Sequence, residues 1–117
     1  MFSDAINGVV EAIRNEKNIK IHILVAVSVF AVCVFLDLSL IEFLFVSSAI
    51  FLVLISEMFN TSIERLCDAV DSSHNEEIKI IKDISAGATL LSVVYSLIVA
   101  FGIVFLKIYF WWAMHEF

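Results

Sequence analysis

Residues 43–68 read FLFVSSAIFLVLISEMFNTSIERLCD, an apolar run that passes into a row of acids, and the length of that run decides the fold. Its uncharged part, residues 43–56, has 14 residues. As a helix that part rises about 21 Å, short of the roughly 30 Å of hydrocarbon in a bilayer core. The helix must therefore continue past Ser56 to the region of Ser62. This carries Glu57 and Asn60 into the last turns of a span, at or just inside the membrane interface, and places the span at 43–66. Upstream, the uncharged run 21–36 is prolonged past Asp37 by Leu38, Leu40 and Ile41, giving a first span at 21–40. Downstream, 84–106 contains no charge and crosses unaided, giving a third span at 84–107. Tyr109, Phe110, Trp111 and Trp112 follow as an interfacial aromatic belt.

Composition agrees with an all-α integral membrane protein built as one domain over residues 1–117. The chain is 62% hydrophobic and 17% charged, has no proline, and its mean hydropathy is +1.01, values outside those of an ordinary soluble or disordered chain. A net charge of −6 repels a phosphate backbone and argues against nucleic-acid binding. Cys33 and Cys67 are too few for a disulfide scaffold and read as small packing residues.

Before the first span, Phe2, Ala5, Ile6, Val9 and Ile13 recur at helical spacing, with Asp4, Asn7, Glu11, Asn15 and Asn18 on another face. Residues 1–19 therefore read as an amphipathic helix suited to the membrane surface. Arg14, Lys17 and Lys20 precede the first span, and Arg65, Lys79 and Lys82 lie between the second and third; only Lys107 falls on the other side. By the bias of basic residues toward the cytoplasm, the N-terminus and the 57–83 segment face inward and the C-terminus outward. The late start of the first span and the lack of an A-x-A site argue against a cleavable signal peptide.

Glu57, Asn60, Glu64, Asp68 and Asp71 are spaced 3, 4, 4 and 3 apart, which keeps them on one helix face. Like charges in a stripe repel, and an ionisable group at membrane depth marks function. Carboxylate and amide oxygens are hard ligands, so Mg2+ is the simple compensating ion; it takes one or two carboxylates plus substrate phosphates. Asp71 reads as a solvated helix end. Lys82-Asp83, just before the third span, is a second candidate: the lysine suits a phosphate, the aspartate a metal or a ribose. Glu16, in Asn15-Glu16-Lys17-Asn18, is a third acid on the same side. His22, His74 and His115 lack metal-ligand spacing and read as packing or surface residues. The sequence contains no G-x-x-x-x-G-K-[ST], G-x-G-x-x-G or H-E-x-x-H motif.

At these residues the chain resembles the prokaryotic diacylglycerol kinase and undecaprenol kinase family of small membrane lipid kinases. Residues 57–68 fit that family's E-x-x-N-[ST]-x-I-E-x-x-x-D signature, and Lys82-Asp83 with Ala86-Gly87-Ala88 resembles its K-D-x-x-A-G-A element. The segment 15–22 is similar to the E-x-N-x-[RK]-I-H segment of the undecaprenol kinase branch; Ala5 and Gly8 also match. The resemblance implies a homotrimer, each subunit carrying a surface helix and three transmembrane helices, in the cytoplasmic membrane of a bacterium. It implies ATP as phosphoryl donor, a membrane lipid alcohol as acceptor and Mg2+ as cofactor. By carry-over, Glu57 is the catalytic base and Asn60 a phosphate or base-positioning contact. Glu16 and Glu64 bind Mg2+, with Glu16 also near the nucleotide, and Asp68, Lys82 and Asp83 contact the nucleotide. The family usually has a histidine at the position of Asn75 and an acid at that of Ser73; here His74 stands one place early.

Two other classes remain open on the sequence. A small multidrug transporter has similar length and composition but carries its essential carboxylate midway along the first span, where 21–36 has none. A structural or regulatory membrane subunit needs no acidic stripe in register with Lys82-Asp83. Between lipid alcohols, the segment 18–22 favours undecaprenol, with diacylglycerol as the alternative.

Overall fold

The computed structural model describes residues 1–73 and 75–116. They form four helices: α1 (Phe2–Asn15), α2 (Lys17–Leu36), α3 (Leu40–Val70) and α4 (Glu76–His115). Three of these, α2, α3 and α4, are long and apolar enough to cross a membrane. In none of them is more than 22% of the most apolar stretch buried within the chain. Phe51, Leu91, Ile98 and Phe101 lie open on the outside. Such a surface is stable in hydrocarbon, where helices satisfy their own backbone groups and apolar side chains need no protein cover.

The helix ends differ from the sequence reading, for local reasons. The first span was expected to run through Asp37 to residue 40, but α2 stops at Leu36. Asp37 takes the left-handed conformation at φ 52°, which ends the helix and which Asp tolerates better than most side chains. Ser39 then starts α3 with a capping box: its Oγ accepts from Glu42 N–H at 3.2 Å, and Glu42 Oε1 accepts from Ser39 N–H at 3.4 Å. Leu40 and Ile41 therefore belong to the next helix. At the other end of the bundle, the helix expected over 1–19 breaks at Glu16, whose backbone is extended (φ −110°, ψ 115°). Residues 17–20 are the first turn of α2.

α3 and α4 form the main packed pair. In α3 the buried positions Val46, Ala49, Val53, Glu57 and Asn60 recur at spacings of three and four, the period of one helix face. A seam of hydroxyls joins the two helices inside the apolar region: Ser56 Oγ to Ser92 Oγ at 2.8 Å, Ser48 Oγ to Tyr95 Oη at 3.1 Å, and Thr89 Oγ1 to the Ser56 carbonyl at 3.4 Å. At the end away from Glu57, Lys107 lies 3.2 Å from Glu42 Oε1 and donates to the Asp37 carbonyl at 3.2 Å, tying the α2–α3 turn to α4. The molecule extends 66 × 34 × 22 Å. Its longest helix, α4, has 40 residues and rises about 60 Å, so it projects beyond a bilayer core.

Candidate functional site

Near the Glu57 end of the bundle, the start of α2, the second half of α3 and the start of α4 meet. Ile19 (2% exposed) and Ala26 are buried on α2, and His22 lies on the face they define, at spacings of three and four. This register aims His22 at α3, where its Nε2 lies 3.7 Å from Glu57 Oε2. Glu57 is 5% exposed, the most buried carboxylate among the described residues. Its spacing alone suggests only a packing or surface role for His22; the fold sets it beside the Glu57 carboxylate.

Asn60, one turn on, is also buried. Its amide nitrogen donates to Glu64 Oε1 at 3.2 Å, while its carbonyl oxygen is buried without a partner among the described residues. An unpaired buried acceptor is costly unless a ligand, an ion or water completes it. Asn60 lines a groove of about 660 Å³ between α3 and α4, together with Ser56, Ser85, Ser92 and mostly apolar side chains such as Phe59 and Leu91.

Beyond Asn60 the acidic stripe emerges from the bundle. Glu64 and Asp68 are exposed, and Cys67 takes the buried position instead. Lys82 Nζ donates to Asp68 Oδ1 at 2.6 Å, bridging α4 to α3. Asp83, expected beside Lys82, instead accepts from Lys79 Nζ at 2.7 Å on its own helix. Adjacent residues on a helix point about 100° apart, so Lys82 and Asp83 serve different directions. Asp71 caps the end of α3 and accepts from the Ser73 hydroxyl at 2.6 Å and the Ser73 N–H at 2.9 Å. The hydroxyl first, and then the backbone bond, hold its carboxyl below the ordinary range. Asn75 opens α4, its Oδ1 accepting from Glu77 N–H and Ile78 N–H. His74 lies outside the described residues.

Glu16, at the α1–α2 junction, is engaged by Arg65: Nη2 donates at 2.6 Å and Nε at 3.2 Å, both to Oε1, while Nη1 reaches Glu11 Oε1 at 3.4 Å. Arg65 is thus the strap that ties α1 and the junction to α3. In the sequence it counted only as one more basic residue on its side of the membrane, and nothing in its spacing announced these partners. Among the described residues no three His, Cys, Asp or Glu side chains gather into a metal-holding group. The donor set nevertheless fits a hard divalent cation that keeps phosphate and water ligands. Glu64 and the unpaired Asn60 oxygen are neighbouring hard oxygens, and Glu16 is held only by an exposed ion pair that water screens.

Fold and site together describe a helical membrane protein whose spanning helices deliver a buried carboxylate, an amide and a lysine–aspartate bridge to one end of the bundle. The family model for prokaryotic diacylglycerol kinase matches residues 3–105, which covers all of these groups. A diacylglycerol kinase of Synechocystis sp. is 36% identical over 93 residues, 79% of this chain and 53% of that protein. An undecaprenol kinase of Bacillus subtilis is 34% identical over 99 residues, 84% of this chain and 80% of that one. The chain spans about half the length of the Synechocystis relative. It belongs to the prokaryotic diacylglycerol kinase family, whose members are lipid kinases.

Proposed function

We propose that this protein transfers the γ-phosphoryl group of ATP to the hydroxyl of a membrane lipid alcohol, with undecaprenol as the preferred acceptor. The observation that carries the reading is the placement of Glu57. It is a buried carboxylate on a spanning helix, about two turns before the exposed charge of Glu64 and three before that of Asp68. A lipid hydroxyl comes to the interface from the membrane side and ATP from the aqueous side, and Glu57 lies at the depth where they meet.

In this reading the lipid oxygen attacks the γ-phosphorus, the bond from that phosphorus to the β,γ-bridging oxygen breaks, and ADP leaves. The hydroxyl proton passes to the Glu57 carboxylate. The transition state needs alignment and charge neutralisation more than covalent help from the protein. Lys82 neutralises nucleotide phosphate, released from Asp68 or shared with it; Asp68 and Asp83 contact the nucleotide, and Asn60 positions the phosphoryl group or the base. Glu16 and Glu64 would hold Mg2+, which when bound neutralises and orients the phosphates. Glu16 serves both the metal and the nucleotide side of the site.

The proposal further places three copies in a trimer in the bacterial cytoplasmic membrane, with α1 on the cytoplasmic surface and the C-terminus outside. The basic residues that cluster near the Glu57 end support that orientation. The undecaprenol preference is supported by residues 18–22 and by the similarity to an undecaprenol kinase; similarity to a diacylglycerol kinase keeps that lipid as the alternative.

The test is ATP turnover in mixed micelles with undecaprenol and diacylglycerol offered separately. Lipid phosphate formed from either establishes the kinase reading, and the larger kcat/KM assigns the substrate. No lipid-dependent turnover with either one overturns it.

A further inference from the structure

A general base must present one lone pair to the proton it takes, in a fixed direction, and misplacement by about 1 Å costs on the order of 100-fold in rate. Glu57 has a flexible side chain, and its helix backbone spends its hydrogen bonds within α3. Among the described residues, no hydrogen bond to the Glu57 carboxylate is formed by any side chain of α3 or α4, including the neighbouring Asn60, which turns its amide nitrogen to Glu64 instead. The polar group that does face the carboxylate comes from α2. It is His22, whose Nε2 stands 3.7 Å from Oε2.

The anchoring of His22 makes it more than a chance neighbour. Among the described residues Ile19 is the most completely buried large side chain, and with Ala26 it flanks His22 on the same face of α2, so the packing of that face holds the His22 backbone toward α3. Its side chain keeps 28% of its surface open against 6% for Glu57. The ring is thus more open than the acid it faces, and it lines an apolar cavity of about 390 Å³ with Val25, Ala26, Val53 and Leu54. Contact through Oε2 leaves Oε1 as the oxygen free to meet a substrate hydroxyl.

We infer that His22 is a positioning residue for Glu57: its Nε2–H, closing from 3.7 Å to hydrogen-bond distance in the substrate complex, holds one carboxylate oxygen so that the other is aimed at the lipid hydroxyl. The residue acts through Glu57 and touches neither ATP nor lipid oxygen. The inference rests on Glu57 serving as the base in the proposed kinase reaction.

The experiment compares His22→Gln, whose amide N–H reaches nearly as far as Nε2, with His22→Asn and His22→Ala, which cannot reach Glu57. All three are purified in micelles and checked for an unchanged thermal midpoint. The expected result is a fall in kcat of about 10- to 100-fold in the Asn and Ala variants, with KM for Mg-ATP within about twofold of wild type. The Gln variant should keep kcat within about threefold, because it restores the N–H donor. Equal kcat for Gln and Asn, or losses that appear in KM for Mg-ATP, overturn the positioning role; the Gln–Asn comparison still decides if the Ala variant does not fold. An inactive wild-type protein would instead count against the kinase reading itself, so the two failures are distinct.

Discussion

Glu57 is the proposed base, and its substitution tests whether catalysis separates from nucleotide binding. Glu57→Gln keeps the size and most of the packing of the buried side chain but removes the proton acceptor. It is expected to reduce phosphorylation at least 100-fold while leaving Mg-ATP affinity near wild type, as read by turnover and by nucleotide titration. Turnover near wild type would remove Glu57 as the base. Glu64→Gln and Glu16→Gln should instead raise the Mg2+ concentration for half-maximal activity, with partial recovery at high Mg2+. An unchanged Mg2+ titration in both would dismiss the metal assignment. For Glu16 the Arg65 strap sets a further expectation. The pair is partly open to solvent and screened, so in the proposed reading Mg2+ on nucleotide phosphate would displace the guanidinium from the carboxylate. The common face of Glu57, Asn60 and Glu64 was readable from spacing, because a helix converts intervals of three and four into one face. The partners of Glu16 and Glu57 were not, since Arg65 and His22 stand 49 and 35 positions away from them along the chain.

Two devices at element scale are open to measurement. The capping box of Ser39 with Glu42 starts α3 where the run of apolar residues gives no boundary. Ser39→Ala should lower stability by about 0.5–2 kcal/mol in a micelle unfolding titration. The hydroxyl seam between α3 and α4 is weaker than its 2.8 Å Ser56–Ser92 contact suggests. In an apolar solvent the unfolded helices also find partners, so Ser92→Ala is expected to cost only about 0.6 kcal/mol. The turn between α3 and α4 carries a pH dependence of known sign. Ser73 lowers the Asp71 pKa, so the bonds that order this turn are present above the ordinary carboxylate range and are lost as pH falls through the depressed value. Protection of the Ser73 amide against hydrogen exchange should follow that course.

At the scale of the whole molecule, orientation and substrate choice are the testable properties. With Cys33 and Cys67 replaced, a cysteine placed at His115 should label from outside intact cells and one at Asn75 should not; the reverse would separate the acidic end from cellular ATP. Substrate selectivity should be relative. The α3–α4 groove is walled mainly by apolar side chains, and an apolar wall discriminates by only about 1–3 kcal/mol per methylene. Undecaprenol is expected to show the larger kcat/KM, with measurable activity on diacylglycerol; a clear preference for diacylglycerol under matched micelle conditions would reverse the assignment and leave the transfer chemistry in place.

By itself the sequence determined that this is a three-span helical membrane protein with an acidic face at the end of the second span. Both follow from one-dimensional quantities: apolar run length against bilayer thickness, and charge at helical intervals. Only the tertiary structure decided where the helices end, because a single left-handed Asp37 and an extended Glu16 stop helices inside stretches with no Pro or Gly to mark a stop. It also decided that Lys82 faces Asp68 while Asp83 faces Lys79, that Arg65 holds Glu16, and that His22 meets Glu57. Contacts between helices depend on their mutual rotation and offset, which are set by packing of small and branched side chains along the seams. No interval along a single helix encodes them.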